Sequence, residues 1–198
     1  RSFTIGATGS ALCQVGFFSI YFGLPLYMRE VWSWSPLKIG FALIPLNVIP
    51  LLTAAVAGKI VDKQGPRPMV IFGGIWSGVS FLIIGFFLME AGYILFALGL
   101  LVSGLGAMAI GNNTTIATLL DIEDDLLASA SSASYTARRL GSALGAVLTA
   151  SIVGNRLGSD FKDVYIWVWI LGAGAYLLGS LITYLYYPRP NEQELSNV

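Results

Sequence analysis

The sequence predicts an all-α membrane protein with six transmembrane helices, and three observations support this fold class. Of the 198 residues, 56% are hydrophobic and only 11% are charged, with a mean hydropathy of +0.74, whereas soluble domains average roughly 45–50% apolar and 25% charged residues. The chain also contains six long apolar runs, each close to or above the about 20 residues that a helix needs to cross a bilayer. Charged and turn-forming residues separate these runs.

The six predicted spans cover, in chain order, residues 5–28, 39–58, 69–89, 92–120, 126–153 and 164–187. Span one stops before Arg29, span two lies between Lys38 and Lys59, and span three ends before Glu90. The short connections predict antiparallel neighbours. Together the spans form one predicted domain over residues 1–190, followed by a polar tail over residues 191–198.

Spans four to six are bounded by other signals. Span four precedes an acidic cluster that begins at Asp121, which we interpret as a solvated turn rather than a metal site. Span five carries Arg138 and Arg139 within it, and span six ends before Pro188. Aromatic side chains, which prefer the headgroup level, flank several spans: Trp32, Trp34, Tyr165, Trp167, Trp169, Tyr184, Tyr186 and Tyr187.

The residue inventory excludes several classes of function. The chain has no histidine, a single cysteine at Cys13, and eleven basic against eleven acidic residues. Disulfide frameworks, Cys/His zinc sites and histidine acid–base chemistry are therefore excluded within the chain. Zero net charge gives no footprint for nucleic acid. We expect neither an enzyme nor a nucleic-acid partner, and no metal or other cofactor.

The connection between spans two and three carries a distinctive motif, Gly58-Lys59-Ile60-Val61-Asp62-Lys63-Gln64-Gly65-Pro66-Arg67. Gly58 lets the end of span two approach a neighbour, and Gly65 permits a tight reversal of the chain. The carboxylate of Asp62 suits a helix N-terminus. Lys63 and Arg67 are available to phosphates or acidic partners.

This motif resembles the cytoplasmic signature loop of the major facilitator superfamily, G-x-x-x-D-[R/K]-x-G-x-[R/K], with all five diagnostic positions filled. The stretch from Gly23 to Gly40, the run Ala42-Leu43-Ile44-Pro45 and the run 137–145 (ARRLGSALG) are similar to the fourteen-helix drug:proton antiporters of that superfamily. Asn112-Asn113 departs from that pattern, since related sequences often carry small or proline residues there.

The resemblance implies that the chain is the C-terminal six-helix half of a transporter whose N-terminal half is missing. The chain begins at Arg1 without a methionine, so we expect a fragment. The two halves would be related by an axis along the membrane normal, with substrate binding between them. Spans one, two, four and five would line the cavity, and spans three and six would face lipid. The motif loop and both ends of the fragment would be cytoplasmic, in a multi-pass protein of the plasma (inner) membrane.

Several polar and aromatic residues inside the spans are candidates for the cavity. Gln14, Phe18 and Tyr21 recur at helical spacing and could present an amide and aromatic faces to a lipophilic or cationic compound. The alternative is plain helix packing, with Gln14 bonding a neighbouring helix. Asn47 either lines the cavity or satisfies a carbonyl freed by Pro50.

Two further candidates lie in spans four and five. Asn112 is a candidate cavity amide at the glycine-rich end of span four. Arg138 lies inside span five, where a guanidinium is costly; we expect it to face the cavity from the cytoplasmic third and to interact with a carboxylate of the other half. Snorkelling to headgroups is the rival account. Gly141 and Gly145, four residues apart, expose a groove for close helix packing.

These features together predict proton-coupled efflux of hydrophobic or amphipathic drugs by alternating access. No acidic residue lies at mid-depth in any span, so a coupling carboxylate would come from the missing half. The same fold could instead export a lipid or a metabolite, with or without protons. The expected partners are the lipid bilayer, the N-terminal half and a small lipophilic or cationic substrate, with the proton gradient as the energy source.

Overall fold

The computed structural model describes residues 2–89, 91–110, 113–119, 122–155 and 161–186. Every regular element in this part of the chain is helical. The helices are α1 (Ser2–Glu30), α2 (Pro36–Ala42), α3 (Ile44–Gln64), α4 (Pro66–Ile83, continuing as a π-helical turn over Ile84–Leu88), α5 (Tyr93–Ile110), α6 (Asn113–Leu119), α7 (Asp124–Gly154) and α8 (Phe161–Tyr186). The predicted all-α class therefore holds for the described residues.

Four stretches of the described residues are long and apolar enough to cross a membrane: Phe3–Glu30, Pro36–Thr53, Pro66–Phe87 and Asp163–Leu185. A shorter apolar stretch, Tyr93–Ala107, lies in α5. Six spans were predicted, so the structure supports part of that count. Helix α7 is not among these four stretches. It is more polar, because it carries seryl hydroxyls, Arg138 and Arg139.

Prolines explain how the second predicted span is built. Ser35 caps α2, accepting a bond from the Lys38 amide, and Pro36 follows at the first turn, where a missing N–H costs nothing. Pro45 cannot donate to the preceding turn, so the helix is interrupted at Leu43 and restarts as α3. One candidate span, Pro36–Thr53, nevertheless runs across this interruption.

The connection between α3 and α4 is shorter than the sequence suggested. We expected a loop from Lys59 to Pro68, but α3 continues to Gln64 and only Gly65 separates it from α4. Charged residues can extend a helix beyond the apolar core, so the bilayer surface does not end it. Gly65 has a φ of 74°, a left-handed backbone that glycine adopts readily.

Helix α1 lies at the centre of the bundle. It runs parallel to α7, with Gly141 beside Ala11 and Gly145 beside Val15, and antiparallel to α8, with Gly16 beside Gly172. Helix α4 packs between α5 and α8, and α3 packs on α5. The starts of α1, α4 and α7 therefore share one end with Gly65, which we call the loop end.

The far end is closed by a buried aromatic cluster. Tyr27 makes ring contacts with Trp32, Phe96 and Tyr165 at centroid distances of 5.3–6.3 Å. The Tyr27 hydroxyl donates to the Met89 carbonyl at 3.2 Å, and the Tyr165 hydroxyl donates to Glu30 Oε2 at 2.7 Å. These contacts join α1, α5 and α8 where the chain leaves α1.

Exposed apolar stripes run along α4 and α8. They comprise Phe72, Ile75, Val79, Ile83 and Phe86 on α4, and Trp167, Ile170, Leu178, Leu181 and Leu185 on α8. The α4 set recurs at three- and four-residue intervals and the α8 set at intervals of three, four and eight, so each set occupies one helix face. Such faces suit contact with lipid.

Candidate substrate cavity

A cavity of about 260 Å³ lies between α1, α3, α5 and α7. Its wall is mostly apolar, with a few polar groups: Ser10, Cys13, Gln14, Phe17, Leu46, Asn47, Pro50, Ala107, Ile110, Arg138 and Tyr176. These four helices lie in predicted spans one, two, four and five, the spans that were expected to line a cavity. Tyr176 of α8, which is fully buried, closes the cavity from behind, so the sixth span does not face lipid alone.

Arg138 is the charged group of this cavity among the described residues that line it. Its Nη2 and Nε donate to the Gln14 carboxamide oxygen at 2.8 and 3.1 Å, with the amide orientation assigned from this bonding pattern. Its Nη1 donates to Thr115 Oγ1 on α6. The guanidinium thus points into the bundle and joins α7 to α1 and α6.

This contact lies well inside both helices. Gln14 is twelve residues from the start of α1, which places it about 18 Å along a helix about 44 Å long. Arg138 lies fourteen residues from the start of α7, about 21 Å along it. Both residues therefore lie near the middle of their helices.

A second cavity, of about 500 Å³, adjoins Arg138 on the side of the loop end. It is lined by hydroxyl groups, from Thr115, Ser131, Ser132, Tyr135 and Thr136. Arg138 lines both cavities. The guanidinium therefore lies between these two cavities.

The predicted candidates separate into two groups. Gln14, Asn47 and Arg138 meet at the cavity wall, whereas Phe18 and Tyr21 lie outside it. Tyr21 lines a neighbouring groove of about 390 Å³ with Asn47. Of the predicted stripe Gln14, Phe18 and Tyr21, the structure therefore brings only Gln14 to this cavity. Asn112 falls outside the described residues.

Asn47 does not satisfy the carbonyl that Pro50 frees. Its Nδ2 donates to the Leu43 carbonyl at 3.2 Å, at the break between α2 and α3. Pro50 frees the Leu46 carbonyl, and Gly104 of α5 packs against it. A Cβ added at Gly104 would lie 2.9 Å from the Leu46 carbonyl oxygen. Asn47 thus bonds Leu43, the residue just before α3, and its side chain also lines the cavity.

Among the hydroxyl-bearing and aromatic residues of the wall, three were not predicted from the sequence. Phe17 stacks on Tyr21 at 5.4 Å, Ser10 precedes Gln14 by one turn, and Tyr176 comes from α8. Ser10 lies four residues before Gln14 and Phe17 three residues after it. Because residues three and four apart share a helix face, this spacing could have identified both as wall residues. Nothing in the local sequence singles out Tyr176.

The motif loop is tied to α8. Arg67 Nη2 donates to the Tyr184 carbonyl at 2.8 Å, near the end of α8, where helix carbonyls lack partners within the helix. Lys63 is exposed and Gly58 lies in α3, with open space where a Cβ would stand. The side chain of Asp62 lies outside the described part of the chain.

Gly141 and Gly145 lie where α7 touches the backbone of α1. An added Cβ at Gly141 would collide with the Ala11 carbonyl oxygen, and one at Gly145 with that of Val15. The described residues contain no group of three His, Cys, Asp or Glu side chains arranged to hold a metal.

Comparison with known proteins gives a consistent result. The family model of the Major Facilitator Superfamily matches residues 6–197. The chain is 28% identical to the riboflavin transporter RibZ of Clostridioides difficile (strain 630) over 169 residues, covering 82% of this chain and 36% of that protein.

Two further relatives are named as exporters. The tetracenomycin C resistance and export protein of Streptomyces glaucescens is 25% identical over 166 residues, covering 82% of this chain and 31% of that protein. The multidrug export protein EmrB of Escherichia coli (strain K12) is 27% identical over 158 residues, covering 79% of this chain and 31% of that protein. The chain spans about a third of the length of these relatives.

Proposed function

Because this chain belongs to the major facilitator superfamily, we propose that it forms the C-terminal six-helix half of a secondary active transporter that exports hydrophobic or amphipathic compounds. Substrate would bind between this half and an N-terminal half, and rocking of the halves would expose it to either side in turn. The family and the transporter names of the relatives indicate a transporter rather than an enzyme.

The observation that carries this proposal is the cavity around Arg138. Four helices supply a mostly apolar wall, and Arg138, Gln14 and Asn47 supply polar groups to it. A mostly apolar site with a few directed polar groups is the usual form of a small-molecule site. Polar groups inside a membrane are expensive and tend to mark substrate or ion pathways, which favours transport over a purely structural bundle.

Export as the direction of transport draws support from two relatives, whose names describe an export protein for tetracenomycin C and a multidrug export protein. Proton influx would supply the energy, and no cofactor is required. Arg138 would then interact with a carboxylate of the N-terminal half, so that protonation of that carboxylate weakens the contact and helps to release substrate. A guanidinium inside the bilayer is tolerated more readily with such a partner.

The Gly58–Arg67 loop would act as a conformational latch rather than as a substrate site. The bond from Arg67 to Tyr184 supports this role, because it fixes the start of α4 to the end of α8 within one half. Asp62 would find its main partner in the N-terminal half. The loop and both ends of the chain would face the cytoplasm, in a protein of the plasma membrane.

A second candidate keeps the fold but changes the cargo. RibZ is named a riboflavin transporter, so membership of the family alone does not select drugs. The protein could export a metabolite or a lipid, with or without protons. Apolar walls and a single cation would serve such compounds as well.

Transport by the full-length protein in proteoliposomes tests both candidates. We expect accumulation of amphipathic compounds against their gradient when a pH gradient is imposed, and little accumulation without it. Equal transport in both conditions would reject proton coupling and favour the second candidate. Absence of transport for drugs, lipids and metabolites alike would reject the proposed function.

A further inference from the structure

We propose that the cavity selects an amphipathic organic anion, whose acidic group binds Arg138 while its apolar body lies against the surrounding wall. This inference rests on the proposed transport function, because it names the class of compound that the same cavity would carry. It replaces the lipophilic or cationic substrate that the aromatic residues of α1 suggested.

The first support is the uncompensated charge. In the part of the chain whose side chains the structure describes, the partners of Arg138 are the neutral groups Gln14 and Thr115. None of the described carboxylates pairs with it. Arg138 is partly buried, and a charge withdrawn from water is stabilised by an opposite charge, so the site favours an anion from outside this set of residues.

The second support is the free edge of the guanidinium. Arginine has five N–H donors, and the bonds to Gln14 and Thr115 occupy one on Nε, one on Nη1 and one on Nη2. One N–H on each terminal nitrogen therefore has no acceptor among the described residues. These two donors are available to the oxygens of a carboxylate or a similar group.

The third support is Ser10. Its side chain is 2% exposed and lies at the cavity wall one turn before Gln14. Its Oγ has no hydrogen-bond partner among the described residues, although buried hydroxyls are nearly always bonded. A ligand oxygen in the cavity would satisfy this hydroxyl together with Arg138.

The wall explains why the anion should be amphipathic. Leu46, Pro50, Ala107 and Ile110 supply apolar surface beside Arg138, which accommodates a hydrocarbon or aromatic body. A cationic compound would meet Arg138 with no described acid at the wall to offset the repulsion. An inorganic anion would leave the apolar surface unused.

Equilibrium dialysis of the full-length transporter in nanodiscs tests this inference with three probes that share a naphthalene body. The probes are naphthalene-2-sulfonate, the neutral naphthalene-2-sulfonamide and a naphthyl trimethylammonium cation. We expect the sulfonate to bind about ten- to hundredfold more tightly than the sulfonamide, the range for a hydrogen bond to a charged group. The cation should bind most weakly.

Two variants should abolish this preference by different routes. Arg138→Gln removes the charge, whereas Gln14→Glu keeps the shape of the cavity and neutralises Arg138 with a carboxylate at the position of the present amide. Because Gln14→Glu adds an ion pair between α1 and α7, it also keeps the test valid if Arg138→Gln fails to fold. Arg139→Gln is the matched control, since Arg139 is exposed and bonds Tyr135.

Three results would overturn the inference: equal binding of the three probes, tighter binding of the cation, or a sulfonate preference that survives both variants. Sulfonate uptake into proteoliposomes separates this inference from the proposed function. Selective binding at Arg138 without uptake of any probe would retain the anion site and count against transport. Uptake of the cation or the sulfonamide in preference to the sulfonate would retain transport and reject the anion site.

Discussion

Replacing Gly145 by leucine should weaken the contact between α1 and α7, on which the cavity depends. At Gly145 the two helices touch backbone to backbone, and an added Cβ would collide with the Val15 carbonyl oxygen and lie 3.1 Å from the Ser19 nitrogen. The Ser19 hydroxyl donates to the Gly145 carbonyl at 3.3 Å, and Thr149 Oγ1 donates to the Ser19 carbonyl at 3.2 Å. A larger side chain must therefore displace backbone and stretch both bonds.

The expected cost follows from these contacts. Overpacking a close-packed interface costs about 1–3 kcal/mol. Two hydrogen bonds between membrane helices contribute roughly 1 kcal/mol more, at about 0.6 kcal/mol each. A destabilisation of about 2–4 kcal/mol should appear as a lower thermal midpoint of the purified transporter in detergent, and transport in proteoliposomes should fall.

Gly174→Leu is the matched control for this change. Gly174 lies on α8 with no atom within 4 Å of an added Cβ, so the same substitution should leave the thermal midpoint nearly unchanged. If Gly145→Leu were as stable as Gly174→Leu and transported normally, the close contact between α1 and α7 would be refuted. Loss of stability in both variants would also refute it, because the effect would then not be specific to the contact.

Three further predictions concern the loop, the topology and the cavity wall. Asp62→Asn should lower turnover in proteoliposomes while substrate affinity stays within a few-fold; a collapse of affinity at normal turnover would reject the latch. Cysteines placed at Ser35 and Ser159 should react with a membrane-impermeant thiol reagent from outside intact cells, whereas one at Gln64 should not, and external labelling at Gln64 would overturn the proposed topology. Asn47→Ala should weaken substrate binding without lowering the thermal midpoint, because the described bond of Asn47 is to its own helix; unchanged affinity would remove Asn47 from the site.

The helical class and most of the helix order could be predicted from the sequence, because an apolar bilayer core requires long uncharged runs. Local packing decided the details. The break at Leu43 follows from Pro45, whereas the π-helical turn at Ile84–Leu88 has no local signal. Trp169 of α8 lies against Gly85 within that turn, so the irregularity is associated with a contact between distant segments.

The cavity was predictable to the extent that its polar residues are conspicuous inside apolar helices. Gln14, Asn47 and Arg138 stood out for that reason, and the structure places all three at one wall. Phe18 and Tyr21 do not line this cavity, because helical spacing assigns a face without showing which neighbouring helices pack against it. Tyr176 was missed because an aromatic residue in an apolar helix resembles any other core residue.

The transport of a substrate by Arg138→Lys tests the central claim most directly. In the full-length transporter, proteoliposomes with and without an imposed pH gradient would be loaded with a compound that the unmodified protein carries. Lysine keeps the charge but cannot reproduce two parallel bonds, so we expect a large loss of gradient-driven transport and a shifted pH profile. Normal transport by Arg138→Lys with an unchanged pH profile would show that Arg138 serves only to reach the interface, and would contradict the account.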